Sequence, residues 1–230
     1  MAIAQTTLLA IGLALQIRLL FLLFSRRMAS QVILFPVLLF FYVLRSSLLF
    51  GLFHHISRTA YATLYSGLSL LDILLQIAVA IELSLTILRS GSKSLLSRSL
   101  PIPLIFLLAA AFALALAAVL PSHSPVPADR GVLFTGFLFL LLLAWSFSVR
   151  LTPWRRSVLI GLAAIGGSGI LSQSAKAIAA SHHNAHLFSL WSYGNAGAYL
   201  IVLLFWVFCC KPVTTTPALS VQSAGSPKAA

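Results

Sequence analysis

Acidic side chains are nearly absent from this chain: Asp72, Glu82 and Asp129 stand alone among 230 residues, against fifteen Lys and Arg. Charge of either sign makes up 8% of the residues, whereas a soluble domain carries about 25%. A surface that must face water cannot be assembled from so few charges, which excludes an ordinary soluble domain. Cysteine is limited to the adjacent Cys209 and Cys210, so a disulfide framework is excluded as well. The basic excess, +12 at pH 7, does not point to nucleic acid. Its members are scattered singly between long apolar runs, with neither a basic stripe nor a nucleic-acid motif.

What the chain has in abundance is apolar sequence, 60% of residues, at a mean hydropathy of +1.04. A membrane-crossing helix needs about 20 mainly apolar residues. Seven stretches qualify: 3–24, 32–53, 61–88, 101–120, 131–149, 157–179 and 188–210. The runs are continuous rather than alternating, which argues against a membrane β-barrel and for helices, which satisfy their own backbone within lipid. Pro101 and Pro103 suit a first helical turn, and Pro121 closes the same span. Gly166, Gly167 and Gly169 should weaken the middle of the sixth. The expected fold is therefore all-α, a polytopic bundle over residues 1–211, followed by a disordered tail over 212–230 rich in Thr, Ser, Pro and Ala.

Basic residues in the short connections orient the bundle. Arg26, Arg27, Arg89, Lys93, Arg98, Arg150, Arg155, Arg156, Lys211 and Lys228 fall on one side. Arg58, Arg130 and Lys176 fall on the other. The positive-inside rule then puts the N-terminus outside and the C-terminus in the cytoplasm, as a multi-pass protein of the cytoplasmic membrane. The first apolar run lacks a basic leader and a small-residue cleavage site, and reads as a retained span. Trp154, Trp191 and Trp206 lie near span ends, where an aromatic belt is expected.

Four ionisable residues fall inside spans: Arg18, Arg45, Asp72 and Glu82. Each costs at least about 2.5 kcal/mol in hydrocarbon and needs a partner or water. Counting 1.5 Å per residue from the helix ends places Arg18 and Glu82 at one depth, and Arg45 within about 4.5 Å of the depth of Asp72. Arg18–Glu82 and Arg45–Asp72 are the expected pairs, with Gln16 and Gln76 adding polar capacity at the same seam. Two roles are open to them. They fix helices one to three as structural pairs, or Asp72 or Glu82 lines a polar cavity that binds a ligand or relays a proton. Asn195, between Gly194 and Gly197, is the polar residue of interest in helix seven. Ala164, Ser168 and Ser172, with Gly194 and Ala198, form small-residue faces expected to carry close helix packing.

All six histidines fall in connections assigned to the outside. His182 and His186, four apart, would share one helical face; His183 lies between them, and His54 and His55 could complete a ligand set. Imidazoles without thiolates suit zinc, copper or nickel. The alternative is that histidine is a mostly neutral, interface-tolerant polar residue at pH 7.

Seven spans with an outside N-terminus resemble seven-helix receptors in topology alone, since helix three ends Leu85-Thr86-Ile87-Leu88-Arg89 and helix seven lacks an Asn-Pro turn. Ser47, His55, Asp72 and the His182/His186 pair fall in an order similar to that of the membrane hydrolases that include alkaline ceramidases and the progestin and adiponectin receptors. That resemblance implies a zinc-dependent lipid hydrolase, although the Ser-to-His spacing is eight rather than four. Leu15-Gln16, Phe35-Pro36, Tyr61 with Tyr65, and Ala78-Val79-Ala80-Ile81-Glu82-Leu83 resemble an uncharacterised group of small seven-helix bacterial membrane proteins, which implies no activity. The leading expectation is a non-enzymatic sensory, transport-associated or partner subunit, with the bilayer and a second copy or membrane protein as its partners and no nucleic acid. The alternatives are a small transporter with Asp72 and Glu82 on its pathway and the metal-dependent hydrolase.

Overall fold

The structure, a computed structural model, describes residues 2–52, 57–90, 101–119, 127–147, 149, 151–182 and 184–210. Among these residues seven α-helices follow in order: α1 (Ala2–Ser25), α2 (Leu34–Leu52), α3 (Arg58–Ser90), α4 (Pro101–Val119), α5 (Pro127–Ser146), α6 (Pro153–Ser181) and α7 (Ala185–Cys209). Among the described residues there are no strands. Three helices open on proline, at positions 101, 127 and 153, where the missing N–H costs no helical hydrogen bond and the fixed φ suits the first turn. The seventh is capped by Asn184, whose side chain accepts from the Leu187 N–H at 3.0 Å, leaving one fewer orphan donor. Five helices are long and apolar enough to cross a membrane: α1, α2, α3, α6 and α7. In α4 and α5 the apolar stretches among the described residues are shorter, Pro103–Leu114 and Gly131–Ser146. The expected tail over 212–230 lies outside the described residues.

Six of the helices close a ring in the order α1, α2, α3, α5, α6, α7 and back to α1. The fourth helix stands outside this ring against α5, with Phe112 stacked on Phe137 at 5.5 Å between ring centroids. The glycines expected to weaken α6 instead give α5 and α6 their close approach. A Cβ on Gly166 would lie 2.6 Å from the Gly136 Cα, and one on Gly136 would lie 2.8 Å from the Gly166 carbonyl oxygen. The helix runs unbroken through this point, because contact between backbones compensates for the poor propensity of glycine. Gly194, by contrast, faces nothing within 4 Å and Ala164 is exposed, so those two do not carry close packing.

The two ends of the ring differ. At the end formed by the C-terminus of α1 and the N-terminus of α2, apolar side chains fill the interior. Leu19, Leu23, Leu38, Leu39, Leu138, Leu142 and Leu159 are fully enclosed there. An aromatic plug crosses the middle: Phe35 meets Trp206 edge-on at 4.8 Å and Trp154 at 6.0 Å. The Trp206 indole N–H donates to the Ser157 carbonyl at 2.9 Å, and its ring lies where any side chain on Gly161 would be. This closed end also carries Arg26, Arg27, Arg155 and Arg156. Arg155 Nε donates to the Gln31 carbonyl at 3.1 Å, tying the start of α6 to the 3-10 turn Met28–Gln31.

Candidate functional site

Towards the other end a cavity of about 830 Å³ runs between the helices, uncovered among the described residues. Every ring helix contributes to its wall: α1 supplies Gln16, α2 Tyr42 and Arg45, α3 Asp72 and Gln76, α5 Thr135, α6 Ser168, and α7 Asn195 and Tyr199. Leu9, Leu49, Phe50, Val132 and Ile165 make the remainder apolar. A volume of this size suits a small organic molecule.

One ion pair dominates the site. Arg45 Nη1 lies 2.6 Å from Asp72 Oδ2, with the two side chains only 19% and 15% exposed. The second guanidinium nitrogen donates to Ser69 Oγ at 3.1 Å, and the guanidinium also lies over the Tyr65 ring, 5.4 Å from its centroid. The other Asp72 oxygen accepts from Gln76 Nε2 at 2.9 Å, a contact one helical turn along α3. Gln76 Nε2 also donates to the Tyr42 hydroxyl at 3.2 Å. Tyr42 meets Tyr199 edge-on at 6.1 Å, and the Tyr199 hydroxyl accepts from Gln16 Nε2 at 2.7 Å. A polar band thus crosses the cavity floor from α3 through α2 and α7 to α1. It ends on an orphan: Gln16 is 3% exposed, yet its Oε1 has no hydrogen-bond partner.

The second expected pair is absent, and the reason is azimuth rather than depth. Leu19 and Leu23 occupy the inward face of α1, and Arg18, one position from Leu19 and so rotated by about 100°, is exposed on the outside of the bundle. Glu82 is engaged elsewhere. Its two carboxylate oxygens accept from the backbone N–H groups of Ile33 and Leu34, at 2.6 and 2.9 Å. No acid occupies the first turn of α2, so α3 caps it in trans, a favourable place for a negative charge. Glu82 does not line the cavity. The absence of Ser, Thr, Asp or Asn at Val32 and Ile33 was the signal that α2 required a cap from elsewhere.

Gln16 likewise belongs to Tyr199 rather than to Arg18. Tyr42 and Ser69 join the site without having been singled out in the sequence; a phenol or hydroxyl at mid-span was the available signal. Asn195 lies at the wall, where its Oδ1 accepts from Ser168 Oγ at 3.3 Å. Ser172 Oγ donates to the Trp191 carbonyl at 3.3 Å. Both bonds join α6 to α7.

The histidine pair is not on one helical face. His182 lies in the turn after α6 and His186 in the first turn of α7, separated by the Asn184 cap; both are exposed. His54, His55 and His183 lie outside the described residues. Among the described residues no three metal-ligating side chains come together. The described part of the hydrolase-like constellation does not fit a zinc–water site. Ser47 is exposed on α2, and both Asp72 oxygens are occupied, by Arg45 and by Gln76.

Neither a family model, nor a curated protein, nor a solved structure matches the chain.

Proposed function

We propose that the chain is a seven-span protein of the cytoplasmic membrane, N-terminus outside, that binds a small polar solute in its six-helix cavity and serves transport or sensing rather than catalysis. The cavity carries this reading: a largely buried ion pair and a polar band, contributed by four of the six helices that line it, face a space that is closed at one end by Phe35, Trp154 and Trp206. Ionisable groups at mid-span are expensive, and those facing a common interior space are the mark of a ligand pathway.

The span count rests on the ring. The fifth helix packs between α3 and α6, which supports its crossing with them. The fourth, at 19 residues, reaches about 28 Å at 1.5 Å per residue, close to the hydrocarbon thickness of about 30 Å. The orientation rests on the basic residues at the closed end, which positive-inside assigns to the cytoplasm. The open cavity then faces outward.

Cysteine accessibility tests this reading. In a background carrying Cys209→Ser and Cys210→Ala, Ser46→Cys and Asn195→Cys should react with a membrane-impermeant maleimide added outside intact cells. Leu142→Cys, in the closed end, should not. Reaction of the cavity positions only with lipid-soluble reagents, or only from the cytoplasmic side, would overturn the proposal. A carrier rather than a receptor is favoured by the asymmetry of one open and one plugged end. Solute flux in proteoliposomes that is lost on Asp72→Asn would support it.

A further inference from the structure

Resting on the reading of the cavity as a solute site, we propose that its ligand is a small zwitterion bearing an apolar side group, of the α-amino-acid kind. The ligand carboxylate is held on the Arg45 side and its ammonium on the Asp72 side, with the Gln16 amide oxygen as a further acceptor for ligand N–H. Three observations carry the inference.

The first is charge balance. Among the described residues that line it, the cavity holds one cation and one anion, Arg45 and Asp72, in contact with each other. A ligand with a single charge would compensate one of them and leave an unpaired charge in a low-dielectric interior, which is strongly unfavourable. A zwitterion replaces both halves of the pair at once and leaves the cavity neutral. The second is the orphan. Gln16 lines the cavity and its enclosed Oε1 has no hydrogen-bond partner among the described residues, so a turn of the amide towards the cavity would satisfy it on a ligand N–H and not on a ligand without donors. The third is the mainly apolar recess of about 340 Å³ that continues from Gln16 and Tyr199 between α1 and α7, lined by Leu8, Leu13 and Leu200 and also by Ser46, Ser192 and Tyr193. At Gly12 the helices are close enough that a Cβ would touch Leu200 Cδ2 at 3.4 Å. A purely polar ligand would leave the recess unfilled, whereas an aliphatic or aromatic side group adjoining the charged head occupies it.

The test is a charge-state series on the purified full chain in lipid nanodiscs, by calorimetry or radioligand competition. The probes are L-phenylalanine and L-leucine, with phenethylamine and 3-phenylpropionate as the amine-only and carboxylate-only forms of the first. At least one amino acid should bind, with either singly charged analogue about tenfold weaker or worse. Gln16→Leu should weaken the amino acid about tenfold with an unchanged gel-filtration profile, while the lost Tyr199 hydrogen bond lowers the melting temperature. If that variant does not fold, the analogue series decides alone. The proposal is overturned if neither amino acid binds, if an analogue binds as well as its amino acid, or if folded Gln16→Leu binds unchanged. Failure in this series with the cavity cysteines still reactive from outside removes the zwitterion and leaves the solute cavity; failure of the cysteine labelling removes both.

Discussion

Neutralising Asp72 should destabilise the protein more than neutralising Asp72 and Arg45 together. The carboxylate lies 2.6 Å from the guanidinium, and the side chains are 15% and 19% exposed respectively. Removing one partner of a buried pair costs about 3–5 kcal/mol, most of it the stranded charge. The residual exposure, together with the Ser69 hydroxyl and the Tyr65 ring that still face Arg45, places Asp72→Asn near the lower bound, about 3 kcal/mol. The Asn side chain retains the Gln76 contact, so the loss is one of charge and not of packing. Adding Arg45→Gln removes the stranded cation and should restore stability to within about 1 kcal/mol of the parent, a coupling of about 2 kcal/mol or more between two residues in contact. Reversible unfolding by SDS in mixed micelles measures all four corners of this cycle. The reasoning fails if Asp72→Asn costs less than about 1 kcal/mol, or if the double variant loses the sum of the singles. Solute binding separates structure from function: the double variant should be folded and silent.

The remaining expectations concern packing, capping and metal. Gly166→Ala drives a methyl into the Gly136 backbone and should cost about 1–3 kcal/mol; Gly194→Ala, with open space around it, should be neutral or slightly stabilising in the same unfolding assay. Glu82→Ala strips the cap from the Ile33 and Leu34 N–H groups and should cost about 0.5–2 kcal/mol, read by unfolding or by faster hydrogen exchange at the start of α2. Arg18→Leu should leave stability unchanged or raise it, because Arg18 faces out of the bundle; a loss comparable to that of Asp72→Asn would refute this placement of Arg18. Elemental analysis of the purified protein, with and without alanine at His182, His183 and His186, should find no histidine-dependent metal, since no three metal-ligating side chains come together among the described residues.

The difference between the two charge pairs explains what could be read in advance and what could not. Depth along a helix is a one-dimensional quantity, obtained by counting residues from a span end. Arg45 and Asp72 could be matched by depth, and they also share the interior. Arg18 and Glu82 were matched by the same arithmetic, yet they face different ways. In water the polar face of a helix reveals its azimuth. In a membrane both the packed face and the lipid face are apolar, so α1, with Ile17 and Phe21 exposed and Leu19 and Leu23 buried, carries almost no record of its rotation.

The sequence by itself determined the class of the protein, the number and extent of its helices to within a few residues, the basic end, and the identity of the mid-span charges. Chain-local physics suffices for these: the length of an apolar run, proline at a first turn, and the cost of a charge in hydrocarbon. Tertiary structure alone decided the ring order that leaves α4 outside, the Gly136–Gly166 crossing, the cap supplied by Glu82 to α2, and the cavity ending on the unpartnered Gln16 oxygen. Each depends on which faces of uniformly apolar helices meet, and that choice is made by side-chain fit between helices rather than by any pattern within one.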